Sequence, residues 1–549
     1  MIYGDIGLVI FEIASAIFLL WLTGYSKKMP NSKWRLLYAV PAIVAINMAG
    51  FFGFEISMIG VYIASVLLLY GFFFEDSNKK RLSSIFAIVC VLISILVCTG
   101  YSGYRTPDYV KDFKKGFHQM KEHYIMTEHK GIDWDALYDE YLPKFEKVNK
   151  SHSAADNAIV WQEFCQEFYD GHVSFTPDVD DDVIDIANKK AFGNDYGLSM
   201  MRLSSGEFVA VNVEAGSVVS GAGIHNGTVI LEWNGKNPLE YYDDVSIMAY
   251  SQPDEENRQF YLPMYIAGLG GDTVEIQFLS DSGVKNVVSA NKIGAYIARL
   301  ENTIEILDQG VKAGNLSFNM ESDNTALLRI TQMMYDSDSY NGTDYSVMKE
   351  ELRVKILELR EQGVSNIILD LRNNSGGSPH MMMGIASLFA PEGRHTYASV
   401  GKFDEKSASY MVDKTTGKYV TDGDLTYNGE NLWADGKILL LVNAECISAG
   451  DHLVYAMSEF DNVVVMGFTK SNGSGQAVNS ITLESGYLSY SSIPTLDGEG
   501  NILIDSGTDH VAGVPLDIKV PFNEAAVTAL FEDKEDYLLS YAVRYMEGN

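Results

Sequence analysis

The chain has 549 residues, with 41 basic and 73 acidic side chains and a net charge of −32. This length is enough for several domains with their own cores. The strong negative charge argues against a nucleic-acid partner. Four cysteines without CxxC spacing argue against a disulfide framework and against a zinc site of that kind.

Residues 1–103 differ in composition from the rest and predict a multi-pass membrane domain in the lipid bilayer. Each of their apolar runs approaches the roughly 20 residues that cross a bilayer; the runs are Ile6–Tyr25, Trp34–Phe54, Ile56–Phe74 and Ile85–Tyr101. Whether the second and third runs cross completely stays open. Basic residues lie between the first and second runs and between the third and fourth, so the positive-inside rule makes both loops cytoplasmic. Everything after Tyr101 is then expected outside the cytoplasm, attached to the cell membrane.

A transport or signalling protein whose membrane helices do the work is a second hypothesis. Ionisable side chains in the middle of the spans would mark a conduction or proton path. Glu12 is the one such residue, and it lies near the predicted outer end of the first run. The sequence therefore favours an anchoring role for the membrane part.

Residues 104–190 predict a helical region that ends in a turn and a strand. Apolar residues recur at three- and four-residue steps from Phe113 to Tyr124 and again from Trp161 to Phe168. The segment Asp170-Gly171-His172 follows and leads into alternating, strand-like residues. His172, just after Asp-Gly at a strand edge, is well placed to reach into a cleft.

Residues 191–290 contain short strand patterns separated by glycine turns and resemble a PDZ domain. The resemblance rests on Tyr196-Gly197-Leu198-Ser199, on the glycine-rich turn that ends at Ile224, and on the strand before Gly235. It implies that residues 196–199 offer backbone N–H groups to a peptide carboxylate and that the next strand edge accepts the peptide. Thr228 departs from the family pattern, which has Asp there, but the binding loop remains.

Two strand-to-loop junctions in residues 291–549 carry the candidate chemistry. Strand Asn366–Leu371 leads into a loop with Gly376 and Gly377, which lets backbone N–H groups approach a ligand closely. Strand residues after Lys437 lead to Ser448 at a helix N-terminus. A hydroxyl at that corner, beside free N–H groups, suits nucleophilic attack on a carbonyl. Taken alone, Ser448 is better explained as a simple N-cap, and the rest of the chain has to favour the nucleophile.

Taken in order, these pieces resemble the S41 family of serine peptidases, the C-terminal (tail-specific) processing proteases and their tricorn-like relatives. The resemblance covers roughly Gly131 to Tyr541 and implies a ClpP/crotonase-like α/β and α+β core with an inserted β-rich PDZ-like domain. It makes Ser448 the nucleophile, places the oxyanion hole at the backbone amides of Gly376 and Ala449, and requires no metal or organic cofactor.

The general base departs from one branch of the family. Ser-Lys processing proteases carry a lysine 25 residues after the serine, but this chain has Gly473 there, with Lys470 nearby. The Ser-His branch instead matches His172, whose pKa suits a base near neutral pH. His452, one helical turn from Ser448, is a competing base.

The acid that orients the base is expected in the segment before the C-terminal helix. Asp505 and Asp509 are both candidates, with spacing slightly favouring Asp505. Asp451 is expected to be a first-turn helix acid. The sequence thus predicts a membrane-anchored serine endopeptidase acting on protein or peptide substrates, with a catalytically inactive PDZ-containing receptor as the alternative.

Overall fold

The computed structural model describes residues 107–249, 251–308, 316–334 and 346–548. Within those ranges, no helix combines the length and apolar character that crossing a bilayer requires. The four predicted membrane spans lie outside the described residues. Asp108–Asn549 form one compact unit.

The predicted helical region folds into four helices that surround an aromatic core. They are α1 (Tyr109–His123), α2 (Thr127–Lys130), α3 (Trp134–Ser151) and α4 (Ala154–Gln166). Phe113 and Phe164 are buried at their centre, as the three- and four-residue spacing predicted. Strand β1 (Ser174–Pro177) and α5 (Asp181–Phe192) follow. The turn that carries His172 therefore connects the helical core to β1.

The predicted PDZ-like region contains a five-stranded antiparallel sheet in the order β3-β4-β5-β6-β7. Its elements are β2 (Asn194–Asp195), β3 (Ser199–Arg202), β4 (Phe208–Val211), α6 (Val218–Gly221), β5 (Val229–Trp233), α7 (Glu255–Ile266), β6 (Thr273–Leu279), β7 (Lys285–Asn291), β8 (Gly294–Ala295) and α8 (Ile297–Leu307). Strand β8 pairs with β2, so the pairing within this region extends past the predicted limit at residue 290.

The predicted catalytic core is built on a six-stranded sheet in the order β21-β17-β16-β11-β10-β9, parallel except for β9. Its strands and helices are β9 (Leu316–Met320), β10 (Thr325–Ile330), α9 (Ser346–Glu361), β11 (Asn366–Asp370), α10 (Pro379–Phe389), β16 (Lys437–Leu441), α11 (Ala449–Ser458), β17 (Val463–Gly467) and β21 (Ile518–Lys519). Side chains on both faces are buried, as in other parallel sheets covered on two sides.

Two smaller antiparallel sheets and the C-terminal helices complete the core. One sheet has the order β1-β19-β18 and the other the order β15-β12-β20. The remaining elements are β12 (Gly393–Gly401), β13 (Phe403–Asp404), β14 (Ser409–Tyr410), β15 (Thr421–Gly429), β18 (Ala477–Thr482), β19 (Gly486–Ile493), β20 (Thr495–Leu496), α12 (Glu524–Val527) and α13 (Tyr537–Glu547). Because β1 pairs with β19, the His172 turn is brought to the core that carries Ser448.

Candidate active site

Ser448 lies at a strained corner between β16 and α11. Its backbone has φ +61° and ψ −122°, a region that side chains with a Cβ rarely adopt. Such strain costs about 1–3 kcal/mol and is concentrated at functional positions. The Ser448 side chain makes no capping hydrogen bond to α11. The simple N-cap interpretation therefore does not describe this serine, whose hydroxyl is left available.

The loop that follows β11 packs closely against the corner at Ser448. A Cβ added to Gly376 would lie 2.6 Å from the Ser448 Cβ and 3.0 Å from the Ala449 nitrogen. Gly376 also has φ +77°. Only glycine fits here without displacing Ser448, so the glycine in the sequence motif has a steric cause.

Asn374 fixes the position of this loop. Its buried side chain donates to the Ile330 carbonyl at 2.8 Å and accepts the Gly376 N–H at 2.9 Å. Its backbone carbonyl accepts the Ile447 N–H at 2.9 Å. One predicted oxyanion donor, Gly376, is thus engaged by an amide oxygen. The other, Ala449, has no acceptor among the described residues and lies at the positive end of α11.

His172 is held beside the same corner through its neighbour Gly171. The Gly171 N–H donates to the Ser474 hydroxyl at 2.7 Å, and a Cβ on Gly171 would be 2.9 Å from the Ile447 side chain. Burial lowers the pKa of His172, whose imidazole also hydrogen-bonds the backbone of Gln476. Nδ1 is buried without a partner in the described chain. His172 is therefore neutral near pH 7 and able to accept a proton.

Asp170 is a buried acid beside His172 that the sequence analysis did not predict as a site residue. It is fully buried and accepts from the Tyr124 hydroxyl at 3.1 Å, the Ser491 hydroxyl at 2.8 Å and the His172 N–H at 2.9 Å. Its charge acts to raise the pKa of His172, partly offsetting burial. The Asp-Gly-His spacing was the available signal, since a side chain two residues before His can bond its backbone.

Asp505 is buried in the same region. Its Oδ2 accepts the Gly475 N–H and the Gln476 side chain, each at 2.8 Å. Burial, followed by repulsion from Asp170, raises its pKa to about 8. Asp505 Oδ1 and His172 Nδ1 are both buried without partners, and no hydrogen bond joins the two residues in the described chain.

The other predicted acid, Asp509, has a different environment. It is exposed, and its carboxylate accepts the N–H of Val511 at 3.2 Å. Its contact is thus with its own loop, whereas Asp505 lies within electrostatic reach of Asp170. The geometry favours Asp505 of the two candidates.

His452 is unsuited to act as the base. Its Nδ1 is hydrogen-bonded by the Tyr397 hydroxyl, and its Nε2 donates to the Gly475 carbonyl at 2.5 Å. Both ring nitrogens are occupied in a buried site, and burial lowers the pKa of His452 to about 4. His452 therefore acts as a neutral structural link between α11 and the loop that follows β17.

The Lys470 side chain contacts the region predicted to be PDZ-like. Its ammonium donates to Asp254 at 2.8 Å, and its backbone N–H donates to the Asn257 side chain at 3.0 Å. At Gly473, where the Ser-Lys branch has its lysine, φ is +88° and a Cβ would lie 2.3 Å from the Ala512 Cβ. The space for a lysine side chain is filled.

Asp451 has a larger role than the first-turn acid that the sequence predicted. It lies in the first turn of α11, fully buried, and accepts the N–H of Gly473 at 3.0 Å and of Ser474 at 3.1 Å. Burial raises its pKa to about 7, against these hydrogen bonds. Asp451 thus holds in place the loop at Gly473, the position where the Ser-Lys branch has its lysine.

Residues 196–199, predicted to bind a peptide carboxylate, are buried at the edge of the five-stranded sheet. The Gly197 N–H donates to Asp195 at 2.8 Å, and the Ser199 hydroxyl shares a 2.7 Å hydrogen bond with Tyr296. The Tyr196 hydroxyl donates to the Gly271 carbonyl at 2.7 Å. Peptide binding at these residues stays a prediction.

Two segments of the chain match known protein families. Residues 324–520 match the sequence profile of peptidase family S41, and residues 106–156 match that of the tricorn protease C1 domain. The first range contains Gly376, Ser448 and Asp505. Both matches are similarities of segments of this chain, and the segment similar to peptidase family S41 is the one that carries Ser448.

Two curated relatives are named as carboxyl-terminal-processing proteases. The chain is 24% identical over 278 residues to carboxyl-terminal-processing peptidase 3, chloroplastic, of Arabidopsis thaliana, covering 51% of this chain and 44% of that protein. It is 26% identical over 225 residues to the carboxyl-terminal-processing protease of Synechocystis, covering 37% of this chain and 48% of that protein. The chain thus spans about half the length of these curated relatives.

Among solved structures, mature CPAF complexed with lactacystin has a similar fold. The TM-score is 0.53 at 13% sequence identity, and the match covers 80% of this chain and 99% of that one. The similarity concerns the fold alone. It extends well beyond the S41 segment and includes most of the described chain.

Proposed function

We propose that this protein is a membrane-anchored serine endopeptidase that cleaves unstructured or C-terminal peptide segments outside the cytoplasm. The observation that carries the proposal is the strained backbone of Ser448, uncapped and in contact with the Gly376 loop. Strain at a serine that makes no cap is difficult to explain by packing, whereas a presented nucleophile requires it.

His172 is the general base in this proposal. It removes the Ser448 proton as Oγ attacks the substrate carbonyl carbon, and the resulting oxyanion accepts the free Ala449 N–H. The tetrahedral intermediate collapses, the peptide C–N bond breaks, and the imidazolium protonates the leaving amine. Water then loses a proton to His172 and attacks the acyl carbon. The bond from this carbon to Oγ breaks, and the imidazolium returns its proton to Ser448.

Asp505 is the proposed orienting acid. Its unpartnered Oδ1 is an acceptor for the Nδ1–H that His172 carries as an imidazolium, in which both ring nitrogens are donors. An anionic Asp505 would fix the tautomer of His172 and stabilise the imidazolium that forms. Gly376 becomes the second oxyanion donor if its N–H exchanges the Asn374 oxygen for the substrate oxyanion.

The location and the substrate rest on other observations. The four apolar runs and the basic loops between them support a membrane anchor with the peptidase outside the cytoplasm. The curated relatives are named for carboxyl-terminal processing, which supports C-terminal segments as substrates. In this proposal the PDZ-like region captures the segment through residues 196–199 and passes it to the cleft.

A receptor that binds peptides without cleaving them is the competing function. The engaged Gly376 N–H favours it, because an enzyme with a preformed oxyanion hole keeps this donor free. The two proposals make opposite predictions for turnover and identical ones for peptide binding. Turnover is therefore the quantity to measure.

The test uses the full-length chain in detergent and fluorescein-labelled casein, an unstructured protein. Wild type is expected to release labelled fragments, and Ser448→Ala is expected to release none. Ser458→Ala is the matched control, because this serine lies at the opposite end of α11. Equal cleavage by wild type and Ser448→Ala would refute the proposal, and peptide binding without any cleavage would favour the receptor.

A further inference from the structure

Lys130 lies at the end of α2, where its ammonium uses all three of its protons. It donates to the Tyr169 carbonyl at 2.8 Å and to the Ser506 carbonyl and hydroxyl, each at 2.9 Å. An ammonium has three donors, so this set is complete. Geometry of this kind fixes a flexible side chain in one conformation and holds the acceptors around it.

The acceptors belong to the two segments that carry the proposed base and acid. Tyr169 precedes the Asp170–His172 turn, and Ser506 directly follows Asp505. The segments are 337 residues apart in the chain and also meet through the Ser506 hydroxyl and the Tyr169 carbonyl at 3.4 Å. Lys130 therefore links the backbone segment that carries His172 to the one that carries Asp505.

The titratable groups around Lys130 are mainly carboxyl groups. The titratable groups that face Lys130 and Asp505 from the surrounding elements are Asp170, Asp509, His129 and Tyr124. Burial lowers the pKa of His129, so this side chain is neutral at pH 7. Within the described chain, Lys130 is thus the cation among three carboxyl groups, two of which are buried.

We propose that Lys130 is a positioning residue of the peptidase, which holds the Asp505 and His172 segments together and supplies the positive charge that faces Asp505. The inference rests on the proposed function. Lys130 does not touch the reacting atoms; it acts through Asp505 and the backbone on either side of the pair.

The pH dependence of cleavage follows from the sign of this charge. Lys130 opposes the burial and the Asp170 repulsion that raise the pKa of Asp505 to about 8. Without the ammonium, Asp505 stays protonated to a higher pH and cannot stabilise the His172 imidazolium. The acid limb of the pH profile of kcat/KM must then move to higher pH. A purely structural lysine would lower the amount of active protein equally at every pH.

The variants are Lys130→Gln, which keeps a hydrogen-bond donor without charge, and Lys130→Arg, which keeps the charge. In the casein assay with full-length protein, Lys130→Gln is expected to move the acid limb upward by about 1 pH unit or more. At pH 7 its kcat/KM then falls about tenfold, since each pH unit on the acid limb is a factor of ten. In Lys130→Arg the acid limb is expected to stay at the same pH as in wild type.

Asp509→Asn is the matched control, because this exposed acid also faces Lys130 but bonds only its own loop. It is expected to leave the profile unchanged. Should Lys130→Gln fail to fold, Ser506→Ala carries the test, since it removes one acceptor and leaves the charge in place. That variant is expected to lower kcat without moving the acid limb.

The outcomes separate this proposal from the proposed function. Wild-type cleavage with an unmoved acid limb in folded Lys130→Gln would overturn the role of Lys130 and leave the peptidase intact. If Lys130→Gln does not fold, a Ser506→Ala enzyme with wild-type kcat would overturn it equally. No wild-type cleavage, or cleavage that survives Ser448→Ala, would overturn the proposed function itself.

Discussion

Ser474 accepts the backbone N–H of Ser448 through its carbonyl oxygen at 3.1 Å, while its hydroxyl accepts the N–H of Gly171. One residue thus joins the proposed nucleophile to the turn that carries the proposed base. Asp451 fixes Ser474 in turn by accepting its N–H. The relative placement of Ser448 and His172 is therefore set by a short, buried series of hydrogen bonds.

Gly376→Ala should abolish cleavage through steric displacement of Ser448. The added Cβ would lie 2.6 Å from the Ser448 Cβ, and the positive φ adds backbone strain. We expect kcat/KM to fall at least about 100-fold, the loss typical of a damaged oxyanion hole. The casein assay measures it. Gly417→Ala has a similar φ of +73° with nothing within 4 Å, and it separates backbone strain from the contact. Equal loss in both variants would argue against the contact.

His172→Gln and His452→Gln should have opposite effects. Removing His172 is expected to abolish cleavage with a small change in melting temperature, because its imidazole loses one hydrogen bond, to the Gln476 backbone, and its Nδ1 has no partner to lose. Removing His452 is expected to lower the melting temperature, because both ring nitrogens are bonded in a buried site. Cleavage per folded molecule should be reduced less in the second variant. The reverse pattern would identify His452 as the base.

Lys470→Ala should retain the wild-type pH profile while lowering stability. Asp254 is fully buried, and loss of its lysine partner leaves an unpaired charge that costs about 3 kcal/mol. Urea denaturation measures the free energy of unfolding. Lys519→Ala is the matched control, since this lysine pairs with Glu256 on the exposed surface, where such pairs contribute about 0–1 kcal/mol. Complete loss of cleavage in folded Lys470→Ala would restore the Ser-Lys mechanism.

Buried carboxyl groups should make the protein less stable as the pH rises toward 8. Burial raises the pKa of Asp308 and Asp451 to about 7, and that of Glu445 and Asp505 to about 8. Each stabilising contribution is complete below the unfolded pKa near 4 and is lost as the pH rises through the folded pKa. The slope is about 1.4 kcal/mol per pH unit for each group between these limits.

Glu445→Gln tests this dependence. Its free energy of unfolding should fall less steeply than that of wild type between pH 5 and 8, as measured by urea denaturation at each pH. Glu392→Gln, at an exposed glutamate, should follow the wild-type curve. Identical slopes for wild type and Glu445→Gln would show that Glu445 is already ionised in the folded protein.

Local patterns predicted the elements that depend on neighbours in the chain. The apolar run of β16 followed by small residues placed Ser448 at a strand-to-helix junction, and the spacing of Phe113 and Phe164 placed them in a helical core. The glycine pair predicted a loop whose backbone N–H groups approach a ligand closely, and that stays a prediction; the structure places Gly376 directly against Ser448.

Long-range contacts were beyond the sequence pattern. Lys130 meets Ser506 across 376 residues, and Lys470 meets Asp254 across 216. The residues next to a lysine in the sequence do not show whether its side chain is buried and positions other groups or is exposed. The first-turn position of Asp451 likewise predicted an interaction with the helix, but its hydrogen bonds to the loop at Gly473 depend on how that loop folds back.

Covalent labelling with a fluorescent fluorophosphonate tests the central claim most directly, because the reagent reacts much faster with an activated serine hydroxyl than with an ordinary one. The full-length chain is expected to take up one label, located at Ser448 by peptide mass spectrometry. Ser448→Ala and His172→Gln should take up none, while Lys470→Ala and Ser458→Ala should label as wild type. Absence of labelling in folded wild type, or labelling of a serine other than Ser448, would contradict Ser448 as a nucleophile activated by His172.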